Sequence, residues 1–232
     1  MLMINIKHFP NSAVIFSCIF WGTYWIPLRY INQNNEASVW PLFLSFFFLS
    51  LLLLRHFKSA FYQIIFKKNY YFFLACFFAA LAICLYSESL LRGEIAKVVV
   101  LFYLCPIWGT ILARYILNQP FTIKRIVSII LGLIGLEIII GFNKGIFLPS
   151  SFVQWIAISA GVCWAISMTF FNLSKSTSNF EKTSITSILV AIFFLIISFI
   201  PNGRNFFIPI SMINLELIYI WIILFAIIWL LP

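Results

Sequence analysis

Eight long apolar stretches leave this chain only one setting in which to fold, the interior of a lipid bilayer. They run roughly from Asn11 to Ile31, Val39 to Leu54, Tyr70 to Leu91, Ala96 to Leu117, Ile123 to Ile140, Phe152 to Ser174, Thr183 to Ile200 and Leu215 to Leu231. Each comes close to the roughly 20 residues that a helix needs to cross the hydrocarbon, with the second and eighth on the short side. A chain that is 63% hydrophobic and 9% charged lacks the polar surface that would coat a compact soluble fold of 232 residues. No alternation of period two runs through the stretches, which argues against a barrel. The fold class expected is all-α integral membrane, with about eight transmembrane helices.

The loops sort charge. Counted from a cytoplasmic N-terminus, Lys7, Arg55, Lys58, Lys67, Lys68, Arg114, Lys124, Arg125, Lys175 and Lys182 fall on the inner side, opposed only by Glu181. On the outer side Arg29, Arg92, Lys97, Lys144 and Arg204 are balanced by Glu36, Glu88, Glu94, Glu137 and Glu216. The whole net charge of +9 therefore sits on one face. Basic residues in short loops are retained in the cytoplasm during insertion, so the excess sets orientation and gives no reason to expect nucleic acid as a partner. Both termini are expected in the cytoplasm. The abundance of Phe, Ile, Lys and Asn fits an AT-rich genome and points to a bacterial inner (plasma) membrane.

Lys7 followed by an apolar run has the outline of a secretory signal, but the run carries Trp21, Tyr24, Trp25 and Arg29 and no small-residue cleavage site, so it reads as a retained first helix. Cys18, Cys76, Cys84, Cys105 and Cys163 all fall inside spans, without a CxxC or a Cys/His cluster, and read as packed free thiols. No loop is long enough for a soluble domain. The inner segment Arg55–Asn69 mixes basic residues with Phe57, Phe61, Ile64, Ile65 and Phe66, the pattern of a helix lying on anionic lipid.

One internal similarity sets the domain organisation. Ile19-Phe20-Trp21-Gly22-Thr23 in span 1 and Val162-Cys163-Trp164-Ala165-Ile166 in span 6 lie 143 residues apart, and the same offset carries span 2 onto span 7 and span 3 onto span 8. The unit is five spans. Because five is odd, successive copies enter the membrane from opposite sides, giving an inverted-topology repeat. Residues 1–145 then form a first repeat of five spans and residues 146–232 an incomplete second one of three, ending at the apolar Trp229 to Pro232.

Candidate site residues follow from helical spacing. Pro106 in mid-span offers no N–H to the backbone, which predicts a kink, and it is the candidate hinge. Tyr103, Thr110 and Arg114 share the face around it, as a wall offering hydroxyls and a cation to a substrate; alternatively Arg114 reaches to lipid phosphates. Spans 1 and 6 carry comparable stripes, Ser17, Trp21 and Tyr24 on one, Ser159, Cys163 and Ser167 beside Trp164 on the other. These suit an amphipathic metabolite, or plain helix packing. Ala157, Gly161 and Ala165, like Ser128 and Gly132, have the small-residue spacing that lets helices approach closely. Of the carboxylates, Glu88 and Glu137 lie about one turn from the outer ends of spans 3 and 5 and are candidates for proton coupling, with a Glu88–Arg92 salt bridge as the alternative.

The stretch from Tyr86 to Ile140 carries a resemblance: Ser89-Leu90, Ala96, Leu104-Cys105-Pro106-Ile107-Trp108, Ile111-Leu112-Ala113, a polar turn at Asn118-Gln119, Thr122, and Leu131-Gly132-Leu133-Ile134-Gly135. It resembles the EamA-type repeat of the drug/metabolite transporter superfamily, and Phe20-Trp21-Gly22-Thr23 and Cys163-Trp164-Ala165 resemble the starts of that family's two repeats. Two features depart from the family: its common Gly-Glu turn is Asn118-Gln119 here, and its usual ten spans are eight. The resemblance implies a secondary transporter of a small organic metabolite working by alternating access, with Tyr86 joining the candidate substrate wall and no cofactor or metal. Expected partners are the small-molecule substrate and membrane lipids, with a homo-oligomer or partner chain left open. A truncated or non-transporting partner of such a transporter is the alternative. A membrane-embedded lipid enzyme fits poorly: the chain has no Asp, His8 and His56 lie outside the spans, and no Gly-rich phosphate loop occurs.

Overall fold

The computed structural model describes residues 10–34, 40–140, 149, 151–174 and 177–198. Among them every regular element is an α-helix: α1 (Pro10–Thr23), α2 (Trp25–Asn34), α3 (Trp40–Leu52), α4 (Leu54–Ile65), α5 (Tyr70–Arg92), α6 (Ile95–Phe102), α7 (Cys105–Ile116), α8 (Ile123–Ile140), α9 (Phe152–Leu173) and α10 (Asn179–Ser198). The protein is an all-α integral membrane protein. Tyr70–Arg92, Ile95–Ile116, Phe152–Leu173 and Asn179–Ile197 are each long and apolar enough to cross a bilayer. Three expected spans are less regular: the first is split into α1 and α2, the second is the 13-residue α3, and the fifth, α8, carries Lys124, Arg125 and Glu137. The expected eighth span, Leu215–Leu231, lies outside the described residues, as do Lys7, Glu36, Lys144, Lys175, Arg204 and Glu216.

The segment after α3 is the helix its pattern predicts. α4 turns 84° away from α3, and Phe61, Tyr62, Ile65 and Phe66 are exposed while Ala60 and Gln63 are buried. A small core of Ala60, Phe72, Cys76 and Ile185, flanked by Phe57, Ile64 and Phe171, fastens α4 to α5 and α10. Burial of these groups, rather than helix propensity, holds so short a helix in place.

α5 is the central element. It packs against α2, α4, α6, α9 and α10, and many of its buried residues are small, Ala75, Cys76, Ala79, Ala80, Ala82, Cys84, Ser87 and Ser89. α9 faces it with Ala157, Ala160, Gly161 and Ala165, so backbones approach closely where lipid supplies no hydrophobic drive for association. Gly161 sits against the backbone of α6: a Cβ there would lie 2.8 Å from the Phe102 carbonyl oxygen.

Side chains also finish the helix ends. Asn69 Oδ1 accepts from the Phe72 N–H at 3.2 Å and Ser151 Oγ from the Gln154 N–H at 3.3 Å, N-caps of α5 and α9. Arg29 on α2 donates through Nε and Nη2 to the Leu90 carbonyl, at 3.1 and 2.9 Å, and through Nη2 to that of Gly93, placing its cation at the negative end of α5. The ends of α4 and α7 close alike. Lys68 (φ 50°) and Asn118 (φ 53°) are left-handed, and the next N–H reaches back to the carbonyls of Gln63 and Ala113. Asn tolerates that conformation better than most residues, which accounts for Asn118 where the resemblance leads one to expect Gly. Its neighbour Gln119 likewise accepts through Oε1 from Arg125 Nη2 at 3.1 Å, in place of a Glu.

Candidate functional site

Two helix breaks position the site, and one sequence pattern produces both. Pro27 offers no N–H to the Thr23 carbonyl and Pro106 none to that of Phe102, each four residues before, so the turn opens in between. The openings are at Tyr24, between α1 and α2, and at Tyr103-Leu104, between α6 and α7. Both read Tyr-x-x-Pro. Thr23 reinforces the first by donating to the Ile19 carbonyl at 2.8 Å, a bond that competes with the helix ladder. Pro106 itself sits in the first turn of α7, where proline is well tolerated, so the bend precedes the candidate hinge residue instead of centring on it. The carbonyl it leaves without a helical donor, that of Phe102, is the one lying against Gly161.

Around these breaks five aromatic rings from α1/α2, α5, α6 and α9 touch in a closed cycle. Ring centroids are 5.8 Å apart for Trp21 and Tyr24, 6.2 Å for Tyr24 and Tyr86, 4.3 Å for Tyr86 and Phe102, 6.4 Å for Phe102 and Trp164, and 5.6 Å for Trp164 and Trp21. Tyr24, Tyr86 and Phe102 are buried; Trp21 and Trp164 are half-buried. Ser87 donates to the Ile83 carbonyl at 2.7 Å, so its single proton is committed and Tyr24 is the donor in the 2.6 Å contact between the two hydroxyls. Ser167, one turn from Trp164 on α9, is fully buried, and its Oγ has no hydrogen-bond partner among the described residues. A ring of π-faces with polar atoms at its margin can hold a solute that is part apolar and part hydrogen-bonding.

Of the residues singled out from the sequence, Trp21, Tyr24, Tyr86 and Trp164 come together, with Ser167 beside them. Tyr103 and Thr110 do not join them. They line a cleft of about 600 Å³ between α6/α7 and α8, together with Pro106, and Tyr103 meets the ring edge-on at Phe102, at 5.9 Å. Arg114 is exposed and lies outside that lining, whose cations are Lys124 and Arg125 of α8. Glu88 is buried and accepts from Arg92 Nε at 2.9 Å, the i,i+4 pair weighed above. Glu137 lies on α8 with its side chain outside the described residues, and so does the side chain of Ser17 on α1. Two members of the site were not found in the sequence. Phe102 is one of 28 Phe with nothing to distinguish it; Pro27 did carry a signal, the Tyr-x-x-Pro shared with Pro106.

Apolar helices long enough to span a bilayer define the class of helical integral membrane proteins. Residues 9–141, more than half of the chain, match the model of the EamA-like transporter family, and the chain belongs to that family. It is thus a membrane transporter of the drug/metabolite transporter superfamily, a family of transporters and not of enzymes. No curated protein matches the chain.

Proposed function

We propose that this protein is a secondary carrier that moves a small organic metabolite, an amino acid or related amphipathic solute, by alternating access, and that the five-ring cluster is its substrate site. The observation that carries the reading is the placement of that cluster at the two Tyr-x-x-Pro breaks, where opened backbone lets helix halves move relative to one another. The contact between Trp21 and Trp164 supports the inverted repeat: residues related by the 143-residue offset touch when a pseudo-twofold axis runs between them. The bias of basic residues supports a bacterial plasma membrane with the N-terminus inside. Glu88 and Glu137 are the proposed proton-coupling carboxylates; Glu88 is buried and paired with Arg92 at 2.9 Å, the salt bridge that is the alternative to that role.

Counterflow into liposomes holding the purified protein and a pooled metabolite library is the direct test. Preloaded substrate exchanges in the wild type, while Trp21→Ala and Trp164→Ala each lower exchange about fivefold at normal protein levels, since an aromatic contact is worth about 1 kcal/mol. Unchanged exchange in both variants places the site elsewhere. An imposed pH gradient drives uptake in the wild type and not in Glu88→Gln combined with Glu137→Gln; full dependence in that double variant removes the proton-coupling role.

A further inference from the structure

The cleft between α6/α7 and α8 lies outside the aromatic ring and shares with the mechanism proposed above the break at Tyr103-Leu104 and Pro106. Its wall is almost wholly apolar: Val100, Leu104, Ile107 and Ile129 line it. The two aliphatic hydroxyls of that wall are turned onto their own helices, Thr110 to the Pro106 carbonyl at 2.8 Å and Ser128 to that of Lys124 at 2.9 Å. Tyr103 stands at one end, and Lys124 and Arg125 at the other.

Three observations indicate what fills it. First, the basic end lacks a counter-charge. Lys124 and Arg125 stand in the first turn of α8, where the helix dipole already favours an anion and no acidic residue is present. Arg125 bonds only the neutral Gln119, and no carboxylate pairs with either cation among the described residues. Second, Gly132 and Gly135 line the cleft, and a Cβ built at either meets nothing within 4 Å. Each costs its helix about 1 kcal/mol relative to Ala, and no described protein atom fills the space, which leaves it open to an occupant of the cleft. Third, the length fits. From Lys124 to Gly135 the helix rises about 16 Å, the order of one leaflet from the headgroup level inward, given a hydrocarbon core of about 30 Å.

We propose that this cleft is a binding site for one anionic phospholipid, its phosphate on Lys124 and Arg125 and an acyl chain lying along Gly132 and Gly135 toward Tyr103.

Native mass spectrometry of the full chain in detergent, incubated with palmitoyl-oleoyl phosphatidylglycerol or phosphatidylcholine, tests it. The wild type retains phosphatidylglycerol in preference to phosphatidylcholine. K124Q/R125Q loses the preference, with phosphatidylglycerol retention falling about fivefold for each charge removed. Gly132→Phe, which has open space at its Cβ, lowers retention of both lipids, whereas Gly132→Ala, too small to fill the cleft, keeps wild-type retention. Circular dichroism and size exclusion confirm that each variant is folded. Equal adducts in the wild type, K124Q/R125Q and Gly132→Phe would overturn the proposal, as would equal loss in Gly132→Ala and Gly132→Phe. Displacement of phosphatidylglycerol by inorganic phosphate alone points to a free-anion site, and a dimer in place of the lipid adduct points to a second copy of the chain; either result also overturns it.

Discussion

Two glycines show how differently the same residue is used within this molecule. Gly161 is required by contact: the Phe102 carbonyl lies where its Cβ would go, and that carbonyl is backbone, which cannot swing aside as a flexible side chain would. Gly132 has nothing near it. Gly161→Ala is therefore expected to destabilise the fold by about 1–3 kcal/mol, the usual cost of overpacking, whereas Gly132→Ala raises stability by up to about 1 kcal/mol through helix propensity. Thermal unfolding in a single detergent compares them, and an unchanged midpoint for Gly161→Ala removes the close approach. The small-residue spacing of Ala157, Gly161 and Ala165 was legible in the sequence. Ser128 and Gly132 have the same spacing and line an open cleft instead. Spacing says which residues share a helix face; what stands opposite depends on how the helices assemble.

Among the elements, α4 combines a legible feature with a hidden one. Its basic and apolar pattern predicted a helix lying on anionic lipid, and the segment is a helix, at 84° to α3. Its anchorage spans a separation no local pattern reaches: the Ser59 hydroxyl donates to the Glu181 carboxylate, and His56 stacks on Phe180 with centroids 4.9 Å apart. Glu181 is itself fixed by a reciprocal cap, accepting from the Ser178 N–H at 2.7 Å while its own N–H donates to Ser178 Oγ at 3.2 Å. That Ser-x-x-Glu pattern can be read in the sequence; the reach across to Ser59 cannot. A hydrogen bond to a charged group contributes about 1.5–3 kcal/mol, so Ser59→Ala should quicken amide exchange across α4 by at least about tenfold while leaving α5 protected. Glu181→Gln should do the same more weakly. If α4 exchanges at the wild-type rate in Ser59→Ala, its attachment lies in the apolar contacts of Ala60 with Phe72 and Ile185 alone.

At the scale of the whole molecule, charge is arranged as a division between two faces. Both ion pairs among the described residues, Arg92 with Glu88 and Lys97 with Glu94, join residues assigned to the neutral side. On the basic side Glu181 is taken up by hydroxyl and backbone donors and forms no ion pair among the described residues, and Lys182 lies over the Phe171 ring at 5.2 Å. The ion pairs among the described residues thus lie on the outer side of the proposed orientation, and none of them involves a cation of the inner side. In the proposed orientation the turn at Gly93-Glu94 is extracellular and the turn at Asn118-Gln119 is cytoplasmic, with only α6 and α7 between them. A membrane-impermeant maleimide should label Glu94→Cys in intact cells, and Gln119→Cys only after permeabilisation, each measured over the background of the native thiols. Both side chains stand on exposed turns, so a difference in labelling reports the side of the membrane and not burial. The reverse pattern would invert the protein and place the basic end of the α7–α8 cleft in the outer leaflet. Labelling of both sites in intact cells would mean that α6 and α7 do not cross as one span, and the substrate site proposed at their break would lose its setting in the middle of the bilayer.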